Sequence, residues 1–596
     1  MACIHLYIYT RYRSIYSSCM KYITHLSITL LFLFFSCTQP VTLHNQVIIR
    51  QVNDPEMLNP VNYTDARAGN IMNHLFQKLI DIDYKNPTNI IPVLATSRPL
   101  IEKIEGGKML LTFSIRKEAK WDNGASITAK DVDFTIKTFK CPLVNNPNSK
   151  SFFDFITDFE YDKTDPNKFI IKTDTLYFTA EATFTDMPIL PEHIYDPTSI
   201  LRKYSVKQIT KEFINLKSNN EIIAFAGNFN SARYMYDPSS IEGSGAYKLT
   251  EWRKNDYIIL TKKENWWGDF FQEESCFFEA YPSKLIFKTI TDQTAAITAL
   301  KAGNINVMSS IKPKDYAEMI KSEKLTNNYN LFNFPEYSYL YIGLNTLSPI
   351  LKDKNVRKAI AYITNIDDII KTITYDQATK TAVPIHPSKT TFNNDIVHYG
   401  YDLTKAKKIL SDAGWKDSNK NEILDKQING RTEELELNLM VNAGNEERKS
   451  IAFLFQAEAK KVGIGINIQT FDWSVFLERC SSHNFDMMIG KWISGPGPDD
   501  LKQCFHSASA NGTGTNYMCY SNTQLDSIIH SIRYEIDEEK RKKLYDKAQE
   551  IIHEDVPMIF LYIPTNKIAI SKQFENAYPS LIQPGYWAQG FKNITQ

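Results

Sequence analysis

A mixed α/β chain of two or more domains is what this sequence predicts, on three observations. The 596 residues are 43% hydrophobic and 23% charged, enough apolar material for more than one core. Leu111, Phe113 and Ile115 alternate with polar neighbours and lead, through Asn123-Gly124, to Thr128-Ala129-Lys130-Asp131. That is the pattern of a strand, a turn and a helix whose N-cap is Thr128, with Asp131 three residues on. Finally, Ile451 to Val462 carry a helical period that stops at Gly463 and gives way to alternation over Ile464–Ile468.

Charge and hydropathy exclude several classes. Lys plus Arg and Asp plus Glu both number 68, so the formal charge is zero and there is no basic field for nucleic acid. Beyond the leader there is no solenoid repeat and no apolar run of about twenty residues, so a soluble mature body is expected. Ile23 to Ser36 is apolar, short for a bilayer span and proportioned like the core of a signal peptide. Cys37 follows at once, and Ser36-Cys37 has the core of a bacterial lipobox, although Phe34 stands where Leu is usual. Residues 1–37 therefore read as a signal peptide with lipidation at Cys37, leaving an anchored protein ordered from near Asn45; an ordinary signal peptide is the alternative. Met20-Lys21-Tyr22 and the apolar run form a complete leader by themselves, which makes Met20 the expected start.

Further motifs follow one another along the body. Met57-Leu58-Asn59-Pro60, Leu75-Phe76-Gln77-Lys78-Leu79 and Ile91-Pro92-Val93-Leu94-Ala95 precede Trp121-Asp122-Asn123-Gly124. Pro188-Ile189-Leu190-Pro191-Glu192-His193 and Gly243-Ser244-Gly245-Ala246-Tyr247-Lys248 come after it, the latter opening a strand, turn and strand that end at Asn265-Trp266-Trp267. Ala299 to Asn306 reads as a helix closed by Gly303 and then a strand. Tyr339 to Asn345 reads as a buried strand, and Asn355-Val356-Arg357 opens a helix. Tyr401 to Leu410 is a helix with Thr404 as candidate N-cap and Gly414 as candidate C′ residue. Arg541 to Tyr545 and Glu554 to Tyr562 close the series. In these residues and this order the chain resembles the family 5 extracellular solute-binding proteins, the dipeptide, oligopeptide and nickel binders that feed ABC transporters, over most of residues 50–565.

The resemblance implies an α/β fold of two lobes of the periplasmic-binding-protein (class II-like) kind, with an extra subdomain on the first lobe and a hinge that closes over ligand. Lobe I is expected to be discontinuous (45–88, 240–335 and 563–596), the extra subdomain to span 89–239 and lobe II 336–562. In peptide binders of this family a carboxylate three residues after the Trp of the second lobe pairs with the ligand's α-amine. Here that loop is Lys491 to Asp500 and the position is Gly495. A buried ammonium without a counter-charge costs several kcal/mol, so Asp499 or Asp500 is expected either to bend inward and compensate or to cap the helix from Leu501 to Phe505. By family position Trp492 and Ser494 line the cleft, as do Asn516 and Tyr517 in a nearby loop. Asn59 and Tyr63 contribute from the first lobe, Tyr341 or Asn345 near the hinge, and Trp473 as a further cleft aromatic, each aromatic having core packing as its alternative role.

Five cysteines lie beyond the leader, Cys141, Cys276, Cys480, Cys504 and Cys519, so at least one is unpaired. Some dipeptide binders carry a disulfide in the loop that Cys504 and Cys519 bracket here. Closing it would stabilise by about 3 kcal/mol in the chain-entropy model; two free buried thiols are the alternative. No CxxC pair marks a zinc site. Asp417 to Asp425 has oxygen groups at alternate positions but lacks the glycine and the terminal glutamate of a calcium loop. His553-Glu554-Asp555 lacks a zincin's second histidine, and neither a Gly-x-Ser-x-Gly elbow nor a P-loop occurs. The expectation is a solute receptor without catalytic residues, metal or cofactor, exported to the periplasm or cell surface as a membrane-anchored monomeric lipoprotein. It would deliver a peptide or similar small solute to an ABC permease and its ATPase, with no nucleic-acid partner. A non-peptide solute (an oligosaccharide, a metal chelate or an opine-like compound) is the alternative, and a surface hydrolase a more distant one.

Overall fold

One strand organises the molecule: Met558–Ser571, 14 residues long. In the computed structural model, which describes residues 45–146, 150–510, 514–535 and 537–594, it runs antiparallel to Ser338–Leu344 over residues 558–562 and to Tyr329–Pro335 over residues 565–571. The leader, with Met20 and Cys37, lies outside the described residues. The sheet built on this strand has twelve strands. On one side follow Ser338–Leu344, Met487–Ile493, Glu436–Asn442 and Gly465–Phe471; on the other Val307–Met308, Gln46–Gln51, Lys284–Thr289, Tyr257–Lys262 and Tyr247–Arg253. Each wing has its own apolar core, one centred on Leu340, Ile342, Leu439 and Ile489, the other on Val47, Ile49, Leu260 and Leu285. This is a two-lobe α/β architecture in which one continuous backbone carries sheet hydrogen bonds in both lobes.

The local signals explain the elements. Ser338–Leu344 is buried along its whole length, as a central strand covered on both faces must be. Asn445 caps the helix Glu446–Lys460 by accepting from Arg448 N–H at 2.9 Å, and this helix joins the parallel strands Glu436–Asn442 and Gly465–Phe471, the usual βαβ connection. It begins five residues before Ile451, because Glu446 to Ser450 are polar and carry no apolar period. The helix Leu403–Asp412 is capped by Asp402, which accepts from Lys405 N–H at 2.8 Å, and not by Thr404. Gly414 follows it in the left-handed region (φ +87°). A separate four-stranded antiparallel sheet, in the order Leu100–Ile104, Lys108–Ser114, Lys168–Thr173 and Ile156–Tyr161, buries Leu111, Phe113, Phe169 and Ile171. Beside it the helix Ala129–Lys140 opens with a full capping box between Thr128 and Asp131. The Asp417 turn spends its carboxylate on the backbone N–H groups of Asn421 and Glu422.

The Gly243-Ser244-Gly245 motif marks a close backbone approach. Gly245 N–H donates to Leu75 O at 2.8 Å, and a Cβ on Gly245 would lie 2.4 Å from His74 O, closer than any side chain tolerates. His74 itself is buried, with Nδ1 3.1 Å from Gln589 Oε1. Gln589 Nε2 donates to Phe277 O at 3.0 Å, which turns Oε1 to the ring and places the imidazole proton on Nδ1. Burial lowers this imidazole from 6.5 to about 4. The unfolded chain therefore binds more protons than the native one between those values; the contribution is fully present above pH 6.5 and is lost as pH falls towards 4. Between about pH 7 and pH 5 the expected loss is about 2 kcal/mol. Urea unfolding at the two pH values, with His74→Asn for comparison, checks this: an equally steep pH dependence in the variant contradicts it.

Candidate functional site

The paired strands Ser338–Leu344 and Met487–Ile493 carry two of the candidate residues, Tyr341 and Trp492, on neighbouring strands. Their register sets Tyr339 against Trp492 and Tyr341 against Gly490. The Tyr339 and Tyr341 rings lie 5.9 Å apart, with Phe560 at 5.3 Å from Tyr339. Gly490 is required here, because a Cβ would sit 2.4 Å from Tyr341 Cζ. Around this buried cluster stand half-buried aromatics: Phe178, Phe392, Phe471, Trp473, Trp492 and Tyr517. Trp473 stacks on Phe476 at 5.7 Å and 11°, and its Nε1 has no protein acceptor among the described residues. Burial holds the phenols of Tyr341 and Tyr517 above their ordinary value. Half-buried aromatics with a few polar edges suit an amphipathic solute.

Of the two alternatives for the carboxylates of the Trp492 loop, Asp500 takes the capping one, and both are held by cations. Lys389 Nζ donates to both oxygens of Asp499 at 2.8 Å, with side chains 5% and 11% exposed. Burial pushes the Asp499 carboxyl up and Lys389 opposes it. Asp500 pairs with Arg533 at 3.0 Å, side chains 9% and 6% exposed. It also accepts from Tyr177 Oη at 2.7 Å and from Lys502 N–H at 3.0 Å. Neither is an open counter-charge for an amine: Asp499 is neutralised by its lysine, and Asp500 caps the first turn of Lys502–Phe505 while holding Arg533. Ser494 N–H donates to Tyr337 O at 2.7 Å, and Gly495 is exposed.

The loop and the helices that follow it meet residues 154–178 directly. Phe178 N–H donates to Arg533 O at 3.2 Å, and Lys502 Nζ pairs with Asp154 at 2.9 Å. The Arg533 guanidinium lies 4.6 Å from the Tyr177 ring and that of Arg541 4.5 Å from the Phe178 ring. Near the crossing strand, Lys491 pairs with Glu336. Lys567 is buried, lowered by desolvation to about 8, and donates to Thr565 Oγ1 at 2.6 Å. None of Tyr177, Phe178, Lys389 and Arg533 was legible as a site residue. Their partners are remote in sequence, and only the aromatic pair Tyr177-Phe178 offered a signal.

The three predicted asparagines serve the backbone. Asn59 is fully buried, donates to Phe229 O at 3.3 Å and accepts from Val61 and Asn62 N–H. Asn345 donates to His483 O and Phe485 O and accepts from Leu347 N–H. Asn516 donates to His506 O and Tyr520 O and accepts from Tyr520 N–H. Tyr63 is half-buried in the first lobe, its ring over Gly69. Cys504 and Cys519 are free thiols, which corrects the expected disulfide. Cys504 is buried with Sγ 3.7 Å from Thr515 Oγ1. Cys519 is in the left-handed region (φ +49°), its carbonyl accepting from Thr346 Oγ1 at 2.9 Å.

The family model for "Bacterial extracellular solute-binding proteins, family 5 Middle" matches residues 89–513. The chain belongs to this family. Among its relatives, the oligopeptide-binding protein AppA of Bacillus subtilis is 28% identical over 535 residues, 89% of this chain and 88% of AppA. The dipeptide-binding protein of Escherichia coli is 24% identical over 518 residues, 85% and 87% of the two chains. The solved structure of Bacillus subtilis AppA in complex with a nonapeptide superposes with a TM-score of 0.76 at 26% identity, covering 92% of this chain and 98% of that one. The family is one of extracellular solute-binding proteins, and among the described residues no helix is long and apolar enough to cross a membrane.

Proposed function

We propose that this family 5 protein is the peptide-capturing component of an ABC importer. It binds a peptide between its lobes, closes over it, and hands it unchanged to a permease and its ATPase. The observation that carries the reading is the aromatic cluster of Tyr339, Tyr341 and Trp492, on which Phe178 of the extra subdomain packs; the likeness to an oligopeptide-binding protein over nearly the whole chain supports it. Lobe I comprises 45–88, 240–335 and 563–596, the extra subdomain 89–239 and lobe II 336–562. This division is supported by the long strand, which exchanges partners between Tyr562 and Thr565. The protein acts as a monomer without catalysis, held at the membrane through a lipid on Cys37.

The test is mass spectrometry of what the purified protein retains from a mixed peptide pool. Intact peptide at about one per protein is the expected result, and Trp492→Ala lowers retention at least about thirtyfold, as loss of an aromatic anchor covered on binding does. Peptide hydrolysis, or no retention from any pool, contradicts the reading.

A further inference from the structure

The helix Ala129–Lys140 carries Lys130, Asp133 and Lys137 at helical spacing, a polar stripe along one face. Such a stripe belongs in water, yet Asp133 is only 6% and Lys137 only 5% exposed. The strand Ile156–Tyr161 and the chain from Glu192 to Val206 stand over it, and together they enclose a cavity of about 410 Å³, the size of a small-molecule site. The helix Val206–Lys211, capped by Ser205, packs on both the first helix and the strand and fixes that frame. No residue of 336–562 lines the cavity, so it is separate from the aromatic cluster of Tyr339, Tyr341 and Trp492.

Its walls are amphipathic. Phe134, Phe159, Leu201 and Val206 supply the apolar side, and the Phe159 ring is held by Phe169, stacked at 5.1 Å, and by Tyr161, edge-on at 5.1 Å. On the polar side the carboxylates are taken. Asp133 accepts from Tyr161 Oη at 2.6 Å and pairs with Lys137 Nζ at 2.6 Å. Glu192, 5% exposed, holds Arg202 through two bonds of 2.7 Å. The cations have donors to spare. Among the described residues Lys130 Nζ has no ion pair, Lys137 spends one of its three donors on Asp133, and Arg202 keeps Nη1 uncommitted. Three cations against two carboxylates leave the lining one positive charge in excess.

We propose that this cavity is a binding site apart from the lobe cleft, for a small amphipathic monoanion: an aromatic or branched carboxylate whose charge meets Lys130, Lys137 and Arg202 while its apolar part lies against Phe134 and Phe159. Charge-assisted hydrogen bonds of ammonium and guanidinium groups to a carboxylate are the strong kind, and partial burial adds to their worth. A cationic ligand gains nothing comparable, since both carboxylates already hold their partners. The site does not rest on the peptide reading given above.

Calorimetric titration of the whole protein with indoleacetate, indoleacetamide and tryptamine, which share one ring system and differ in charge, tests this. The expected result is one indoleacetate per protein with a Kd below about 1 mM, and binding of the amide and of tryptamine at least about tenfold weaker. Lys130→Glu turns the excess charge of the lining from positive to negative and is expected to reverse the order, tryptamine then binding more tightly than indoleacetate. Its urea midpoint should not fall below that of the wild type, because Lys130 is exposed and an acidic residue suits the first turn of a helix. A retained peptide at saturation should leave indoleacetate bound. Equal affinity for the three compounds, no binding of indoleacetate below about 1 mM, an unchanged order in Lys130→Glu, or displacement of indoleacetate by the peptide overturns the assignment.

Discussion

Asp500→Ala lowers the free energy of unfolding by about 3–5 kcal/mol, the range found when one member of a buried ion pair is removed. The cost arises at Arg533, whose side chain is 6% exposed and loses its carboxylate partner. Asp500→Leu combined with Arg533→Met restores most of the loss, since a buried pair replaced by apolar residues of similar size is close to neutral. Tyr177→Phe separates folding from closure. It leaves the Asp500–Arg533 pair intact and removes the 2.7 Å bond that Tyr177 donates to Asp500. Urea unfolding should be nearly unchanged, while affinity for a retained peptide, read by calorimetry, falls about tenfold, the worth of a hydrogen bond to a charged group that forms only with the lobes together. A Tyr177→Phe protein with wild-type affinity would show that this contact plays no part in closure.

Gly490→Ala is expected to cost about 2–3 kcal/mol, at the upper end of overpacking, and to abolish peptide retention. The added methyl would sit 2.4 Å from Cζ and 2.6 Å from Oη of Tyr341. That ring is buried and lies 5.9 Å from the Tyr339 ring, so the added methyl must displace a packed aromatic. The cause is tested by a double-mutant cycle. In a Tyr341→Ala background the penalty of Gly490→Ala should vanish; a penalty that persists there would place the strain in the backbone.

Elements were legible in the sequence where the signal is local. The capping box at Thr128, the left-handed Gly414 and the wholly buried strand ending at Leu344 each follow from side-chain chemistry acting over a few residues. The cap at Asp402 was missed because Thr404, two residues on, is an equally good capping residue by type, and only the backbone path chooses between them. Site residues fared less well for a physical reason. An asparagine in a ligand-binding loop and one that ties a loop to its own backbone look alike in sequence, and Asn59, Asn345 and Asn516 are of the second kind. The same holds for charge: Asp499 and Asp500 read equally as inward counter-charges or as helix caps, and neither reading shows Lys389 and Arg533, more than thirty residues away in either direction, which hold them. Cys504 and Cys519 bracket a loop of suitable length, but length does not set the side-chain directions that a disulfide needs.

The whole account depends on two lobes, joined by one long strand, shutting over a solute that leaves unaltered. Small-angle scattering of the protein with and without a peptide that it retains tests this most directly. A smaller radius of gyration on binding, with the peptide recovered at its original mass, is the predicted result. Superimposable profiles at saturating peptide, or recovery of peptide fragments, would contradict it.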